Sequence, residues 1–383
     1  MKRFFYLATL FLMSESVIAQ DSINTASKGK LLYHFTNTDM INLPDSEMLP
    51  VDSLSSSTKK LADTISFAMV GDIMMGTTYP TNRLPADDGA HIFEKVSDII
   101  KKADIGLGNM EGVMCEGGTC TKGGGANSYA FRMPTSYAHL LTEAGFDFLS
   151  LANNHSNDFG PDGIKSTMKM LDEQNIAYAG VVGLCEKAIV EKNGVRYGFC
   201  AFGHNKHVYK HQDTATVRRI ITSLRDSVDI LIVSMHGGAE GKKMNHVPHN
   251  TEIFLGEDRG NLREFTHFCI DLGADFVFGH GPHVVRGMEL YKGHFIAYSL
   301  GNFCTPYGIS LSGISGYAPV VTIRIKSDGT FIDGQIHSFI QQSGMGPQPD
   351  TENKVAKEIK KLTEADFKDS AISISNEGKI EKK

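Results

Sequence analysis

Residues 273–285 read Gly-Ala-Asp-Phe-Val-Phe-Gly-His-Gly-Pro-His-Val-Val. An apolar run over 274–278 follows a stretch of helical period over 260–272 and stops at Gly279. A helical pattern feeding a short β-rich run is the unit of a sheet built through crossover helices. The unit recurs along the chain: further strands are expected at 65–70, 105–108, 148–152 and 229–235, and further helices at 91–102, 135–144, 160–174 and 216–226. Asn193-Gly194, Lys292-Gly293 and Ser327-Asp328-Gly329 read as hairpin turns that add antiparallel strands. The fold class is therefore α/β, with one mixed sheet or two sheets packed together.

The chain has 383 residues, 41% of them hydrophobic and 21% charged, which suits a globular protein with a sizeable core. Its 38 Lys and Arg against 44 Asp and Glu leave a formal charge of −6. With no basic run to offset that balance, no nucleic-acid partner is expected. Six cysteines are too few and too scattered for a disulfide scaffold, and none forms a Cys-x-x-Cys pair.

Met1-Lys2-Arg3, the apolar stretch 4–13, and Val17 and Ala19 ahead of Gln20 have the layout of a signal peptide over 1–19. The apolar stretch is shorter than the ~20 residues of a spanning helix, so export to the periplasm or cell surface is expected. Export permits disulfides, and Cys115 and Cys120, close together in a Gly-rich stretch, are the candidate pair. Residues 20–63 read as a leader or linker, 64–345 as the folded domain, and 346–383 as a polar tail with one amphipathic helical stretch that packs lightly.

Polar side chains gather where the expected strands stop. Asp72 follows the first, Asn109 and Glu111 the second, Asn153-Asn154-His155 the third, His236 the fourth, and His280 and His283 the last. In an open α/β sheet the carboxyl ends of parallel strands share one edge, where ligands bind. Asp, Glu, Asn and His without thiolates are the ligand set of Mn, Fe or Zn. Singly, each has an ordinary reading: Asp72 as a turn cap, Glu111 as a solvated loop carboxylate, His236 as a core histidine. Jointly, those readings would all have to hold at one sheet edge. Ser299 lacks the Gly-x-Ser-x-Gly elbow of a nucleophilic hydrolase, and residues 298–303 read as a strand running into a turn.

These stretches, with Val70-Gly71-Asp72-Ile73-Met74, Gly108-Asn109-Met110-Glu111, His236-Gly237-Gly238-Ala239-Glu240 and Tyr298-Ser299-Leu300-Gly301-Asn302-Phe303, resemble the bacterial capsule-synthesis CapA (PgsA) proteins of the poly-γ-glutamate system. That family looks like a branch of the calcineurin-like metallophosphoesterases. The resemblance implies a four-layer α/β/β/α sandwich with mixed sheets and a centre of one or two divalent metal ions (Mn, Fe or Zn). It implies Asp72, Glu111, Asn154, His236, His280 and His283 as ligands and His155 as the acid that protonates a leaving group. Three departures stand out: Met74 where the phosphoesterase pattern has a ligand histidine, the longer Glu111 where it has a bridging aspartate, and His-x-x-His in place of His-x-His.

The function so implied is capsule or poly-γ-glutamate biosynthesis, by a metal-dependent hydrolase or transferase acting on an anionic polymer or a phosphorylated or carboxylated precursor, with membrane-bound capsule-synthesis subunits as partners. The alternatives are a non-catalytic polymer-binding export subunit using the same cleft, and an envelope phosphoesterase. No cluster of base-stacking aromatics is legible, which counts against a nucleotidase. Arg132, on the Gly-rich segment 117–127 and its flank, is the expected catalytic-site cation, with Lys242 and Lys243 adding positive charge near the cleft.

Overall fold

The computed structural model describes residues 30–35, 63–123 and 129–383. The signal-peptide reading, most of the leader and part of the Gly-rich segment lie outside the described residues. Two large sheets form. The first runs, in spatial order, Lys30–Phe35, Lys187–Lys192, Val195–Phe202, Ile230–His236, Phe276–His280, His294–Ala297 and Met288–Tyr291. The second runs Ile372–Ile374, Lys379–Lys382, Phe331–His337, Val320–Ile325, Ile65–Ile73, Ile105–Met110, Phe148–Ser150 and Ala177–Ala179, with Asn302–Cys304 also paired to Ile65–Ile73.

The apolar runs are nearly continuous because both faces of their strands are covered. In Ile230–His236, Ile230 and Ile232 face the other sheet, whereas Leu231 and Val233 face the helices Thr214–Arg225 and Leu262–Asp271 through Ile220, Leu224 and Phe265. Between the sheets Phe67 meets Phe276 edge-on with centroids 4.7 Å apart, and Phe148 stacks on Phe199 at 4.5 Å. On the far side of the second sheet Val70 and Leu149 pack with Ile100, Leu141 and Ile164 of the helices Ser97–Lys102, Ala138–Ala144 and Gly160–Glu173. Helices, sheet, sheet and helices therefore stack as the expected α/β/β/α sandwich, with roughly 1.5–3 kcal/mol from each fully buried large apolar side chain.

All three hairpins form. Asn193 and Gly194, like Lys292 and Gly293, have positive φ, as a type I′ turn requires. The third joins Val320–Ile325 to Phe331–His337. Both ends of the chain depart from their expected reading. Lys30–Phe35, assigned to the leader, pairs antiparallel with Lys187–Lys192 at the edge of the first sheet. The tail packs firmly: helix Lys354–Asp366 buries Val355, Ala356, Ile359 and Leu362, and Ile372–Ile374 and Lys379–Lys382 extend the second sheet, burying Ile372, Ile374 and Ile380. Runs of three or four residues with one or two apolar positions show too little period to be read as strands. Among the described residues no helix is long and apolar enough to cross a membrane.

Candidate metal centre

The carboxyl ends of the parallel strands of both sheets meet at one place, and strand register sets the neighbours. Asp72 is paired across the second sheet with Asn109 on one side and Asn302 on the other. His236 is paired with His280 in the first. Gly71 permits the close approach of the 302–304 segment, since a Cβ there would lie 1.9 Å from the Gly301 carbonyl oxygen. His283 follows two residues after Gly281 and holds a left-handed backbone, φ 56°, a conformation costing about 1–2 kcal/mol in a residue with a Cβ. Its Nδ1 lies 2.9 Å from Asp72 Oδ2 and 3.0 Å from Asn302 Oδ1, which fixes the ring over the strand end.

The side chains of Asp72, Asn109, Glu111, His236 and His280 converge in a fully buried nest, while Asn154 and His283 reach the adjoining cleft. One ligand atom each of Asp72, His236 and His280 lies within 4.8 Å of the others. His236 Nε2 stands 3.3 Å from Glu111 Oε2. Asn109 Nδ2 donates to both Asp72 Oδ1 at 2.8 Å and Glu111 Oε2 at 2.6 Å, and Asn153 Nδ2 donates to Asn109 Oδ1 at 3.0 Å, so an amide relay holds the two carboxylates in place. Ser234 and His280 Nε2 are 2.8 Å apart.

Five buried atoms on four of these residues lack hydrogen-bond partners: Glu111 Oε1, Asn154 Oδ1, both ring nitrogens of His236, and His280 Nδ1. Buried polar atoms are rarely left unpaired, and each costs about 1–3 kcal/mol. Oxygen and imidazole nitrogen atoms orphaned together are the donor set of a divalent cation, so the residues present fit one.

Charge in the nest is strongly coupled. Burial would lower His283, but the hydrogen bond and charge of Asp72, joined by Glu111, lift it to about 10. Burial and the Glu111 charge push Asp72 upward against the pull of His283. The pair thus retains a proton. Burial also pushes Glu111 up, yet His236, with His155 and His283, outweighs it and holds the carboxyl well below the usual range. His280 is held well below the usual imidazole value by burial and by His236, which leaves its ring neutral.

A family profile, "Bacterial capsule synthesis protein PGA_cap", matches residues 66–307. The chain belongs to that family. Its relatives include "Capsule biosynthesis protein CapA" of Bacillus anthracis, 30% identical over 78% of this chain and 74% of that one. Another is "PGA biosynthesis protein CapA" of Bacillus subtilis (strain 168), 28% identical over 70% of each chain. Among solved structures, the putative 5'-nucleotidase from Staphylococcus aureus in complex with alpha-ketoglutarate aligns at a TM-score of 0.42 and 13% identity, over 79% of this chain and 58% of that one, a likeness too slight to bear on function.

In this PGA_cap chain Asp72, Glu111, His236, His280 and His283 stand within contact of one another, and Asn154 lines the cleft beside His155 and His283. His155 stands beside it with Nε2 3.9 Å from Glu111 Oε1. Its Nδ1 lies 2.8 Å from Asp158 Oδ2, and its ring packs on Phe131 at 4.4 Å. Met74 is fully buried and lies with Phe131 against Gly308, an apolar filling where the phosphoesterase pattern has a ligand.

Arg132 is not where the sequence reading placed it. Its Nε donates to Thr78 Oγ1 at 2.9 Å, and its guanidinium lies over the rings of Phe159, at 5.2 Å, and Tyr79, at 5.8 Å, a cation–π seat away from the cleft. Cys115 and Cys120 are free thiols, hydrogen-bonded to the carbonyls of Gly117 and Lys122 rather than bridged. The cations that line the cleft are Lys122 and Arg259; Lys242 and Lys243 are exposed and stand outside its lining. Aromatic rings do gather there, since Tyr129, Phe131 and Phe254 line the cleft, contrary to the expectation that none cluster. They come from three separate segments, which no local pattern reveals.

Two buried histidines were missed as well. His204 follows the strand Val195–Phe202 and stacks on His236 at 5.8 Å, and His211 lies 6.5 Å from His204. Their sequence signal is an imidazole past a strand end, masked because the Asn193-Gly194 turn makes that strand look like half of a simple hairpin.

Proposed function

We propose that this chain is an exported, metal-dependent hydrolase or transferase of capsule or poly-γ-glutamate biosynthesis, acting on an anionic polymer or its phosphorylated or carboxylated precursor. The observation that carries the reading is the set of unpartnered buried atoms on Glu111, Asn154, His236 and His280, with Asp72 gathered against the two histidines. These residues, with His283, would hold one or two divalent cations. When bound, such a cation supplies positive charge to an anionic substrate oxygen and makes water a better nucleophile.

The chain's own groups account for the rest. Asn109 fixes the spacing of the Asp72 and Glu111 carboxylates through its two hydrogen bonds. Asp158 and Phe131 orient His155, whose Nε2 side faces the nest, where a proton is handed to the departing group. Buried Met74 favours a second reading, a subunit that holds polymer without turnover, because a thioether is a poor ligand for a hard cation. Single-turnover assays separate the two. Protein loaded with Mn, Fe or Zn is presented with phosphoesters and with poly-γ-glutamate, beside Asp72→Ala. Turnover lost in the variant supports the enzyme; binding without turnover under every metal supports the subunit.

A further inference from the structure

The nest opens into a cleft of about 900 Å3, with Asn154, His155 and His283 on its floor. Its walls hold two cations, and both are already matched. Lys122 Nζ lies 2.8 Å from Asp158 Oδ1. Arg259 meets Glu240 at 2.7 Å and Glu257 at 3.1 Å, so two carboxylates face one guanidinium, which itself lies under the Phe254 ring at 5.2 Å. The neighbouring sequence 124–128, Gly-Gly-Ala-Asn-Ser, carries no charge. Among the described residues of its lining, His283 being matched by Asp72, a row of carboxylates laid along this cleft would find no unmatched positive charge and would lie against Glu240.

The walls are apolar instead. Tyr129, Phe131, Phe254, Leu255 and Ile309 line them. Leu255, at the tip of the hairpin formed by Ile253–Phe254 and Glu257–Asp258, is 75% exposed, and Tyr129 is 56% exposed. Large apolar side chains left open to water around a cleft mouth mark a binding surface. From the matched charges and the apolar walls together, we infer that the cleft takes an amphiphile: one anionic head at the metal centre and an alkyl or aryl body against Tyr129, Phe254, Leu255 and Ile309. Resting on the metal-centre reading above, this narrows the substrate from the finished polyanion to a precursor carrying an apolar group.

Calorimetric titration of the metal-loaded protein with inorganic phosphate and with butyl, hexyl and octyl phosphate tests it, beside a poly-γ-glutamate oligomer at the same salt. Burial of one methylene corresponds to roughly fourfold in affinity, so binding is expected to tighten two- to fourfold per carbon. Leu255→Asp and Tyr129→Ser, both at exposed positions, should flatten that slope. The walls contain none of the proposed ligands, so the slope should persist, on weaker binding, in Asp72→Ala. Equal affinity across the alkyl series overturns the inference, as does a poly-γ-glutamate oligomer binding more tightly than octyl phosphate. Elemental analysis of the same samples reads the metal centre separately: a chain-length slope in protein that never holds metal supports the amphiphile while contradicting the metal.

Discussion

His283 Nδ1 and Asp72 Oδ2 lie 2.9 Å apart although 211 positions separate them in the chain. The contact joins the first strand of the second sheet to the loop that leaves the first sheet, and it ties the two halves of the sandwich together at the nest. It also stores a proton, since Asp72 lifts His283 to about 10. A ligand imidazole must be free of that proton, so metal binding at this pair has to expel it. Metal affinity is therefore expected to rise with pH, by about tenfold per unit between roughly pH 6 and 9 for one displaced proton. Calorimetry in two buffers of different ionisation enthalpy reads the proton directly. Affinity that does not change over this range would show that His283 stays outside the coordination shell.

His155 and Asp158 should separate proton delivery from metal holding. His155→Ala is expected to lower kcat by about 10²–10⁴ with metal content unchanged. Asp158→Asn, which keeps the ring but weakens its anchor, should lower it by about 10–100-fold. Loss of metal in His155→Ala would instead make that ring a ligand.

The gathering of site side chains at strand ends is legible in the sequence. Asp72, Glu111, Asn154, His236, His280 and His283 each sit just past an apolar run, and parallel strand order turns that one-dimensional regularity into a shared edge. The seat of Arg132 is not legible, because an arginine beside a Gly-rich stretch reads alike whether it faces a cleft or lies on Phe159 and Tyr79. Lys122, Arg259 and the aromatic walls come from segments whose meeting depends on loop paths, and no period encodes those. Asn302 is legible as a turn residue that reaches the site edge, but its register with Asp72 is a long-range pairing that local pattern does not carry.

Acid should unfold the protein partly through His204 and His211. Burial pushes their imidazoles down from 6.5 to about 2 and about 3. With folded values below the unfolded ones, the unfolded chain binds more protons below pH 6.5, so stability falls as pH drops from there towards about 3. Each ring contributes about 1.4 kcal/mol per pH unit inside that window. His211→Gln is expected to flatten the slope of unfolding free energy against pH by that amount between roughly pH 4 and 5. Denaturant titrations at several pH values measure it, and identical slopes would mean that the ring protonates without unfolding.

The C-terminal segment should behave as core. Ile380 is fully buried on a strand of the second sheet, and Ile380→Ala is expected to cost about 2–5 kcal/mol. The metal bound per folded chain should not change, because the nest lies at the strand ends. A cost below about 0.5 kcal/mol, the range of surface substitutions, would mean that the segment packs loosely.

The central claim is that one buried nest of carboxylate, amide and imidazole groups holds metal. It is tested most directly by elemental mass spectrometry on chelator-free protein, wild type beside Glu111→Gln, His236→Ala and Asp72→Ala. The account predicts one to two equivalents of Mn, Fe or Zn per chain, lost in Glu111→Gln and His236→Ala and reduced in Asp72→Ala. Wild-type protein that stays metal-free after reloading, or variants that keep the full complement, would contradict it.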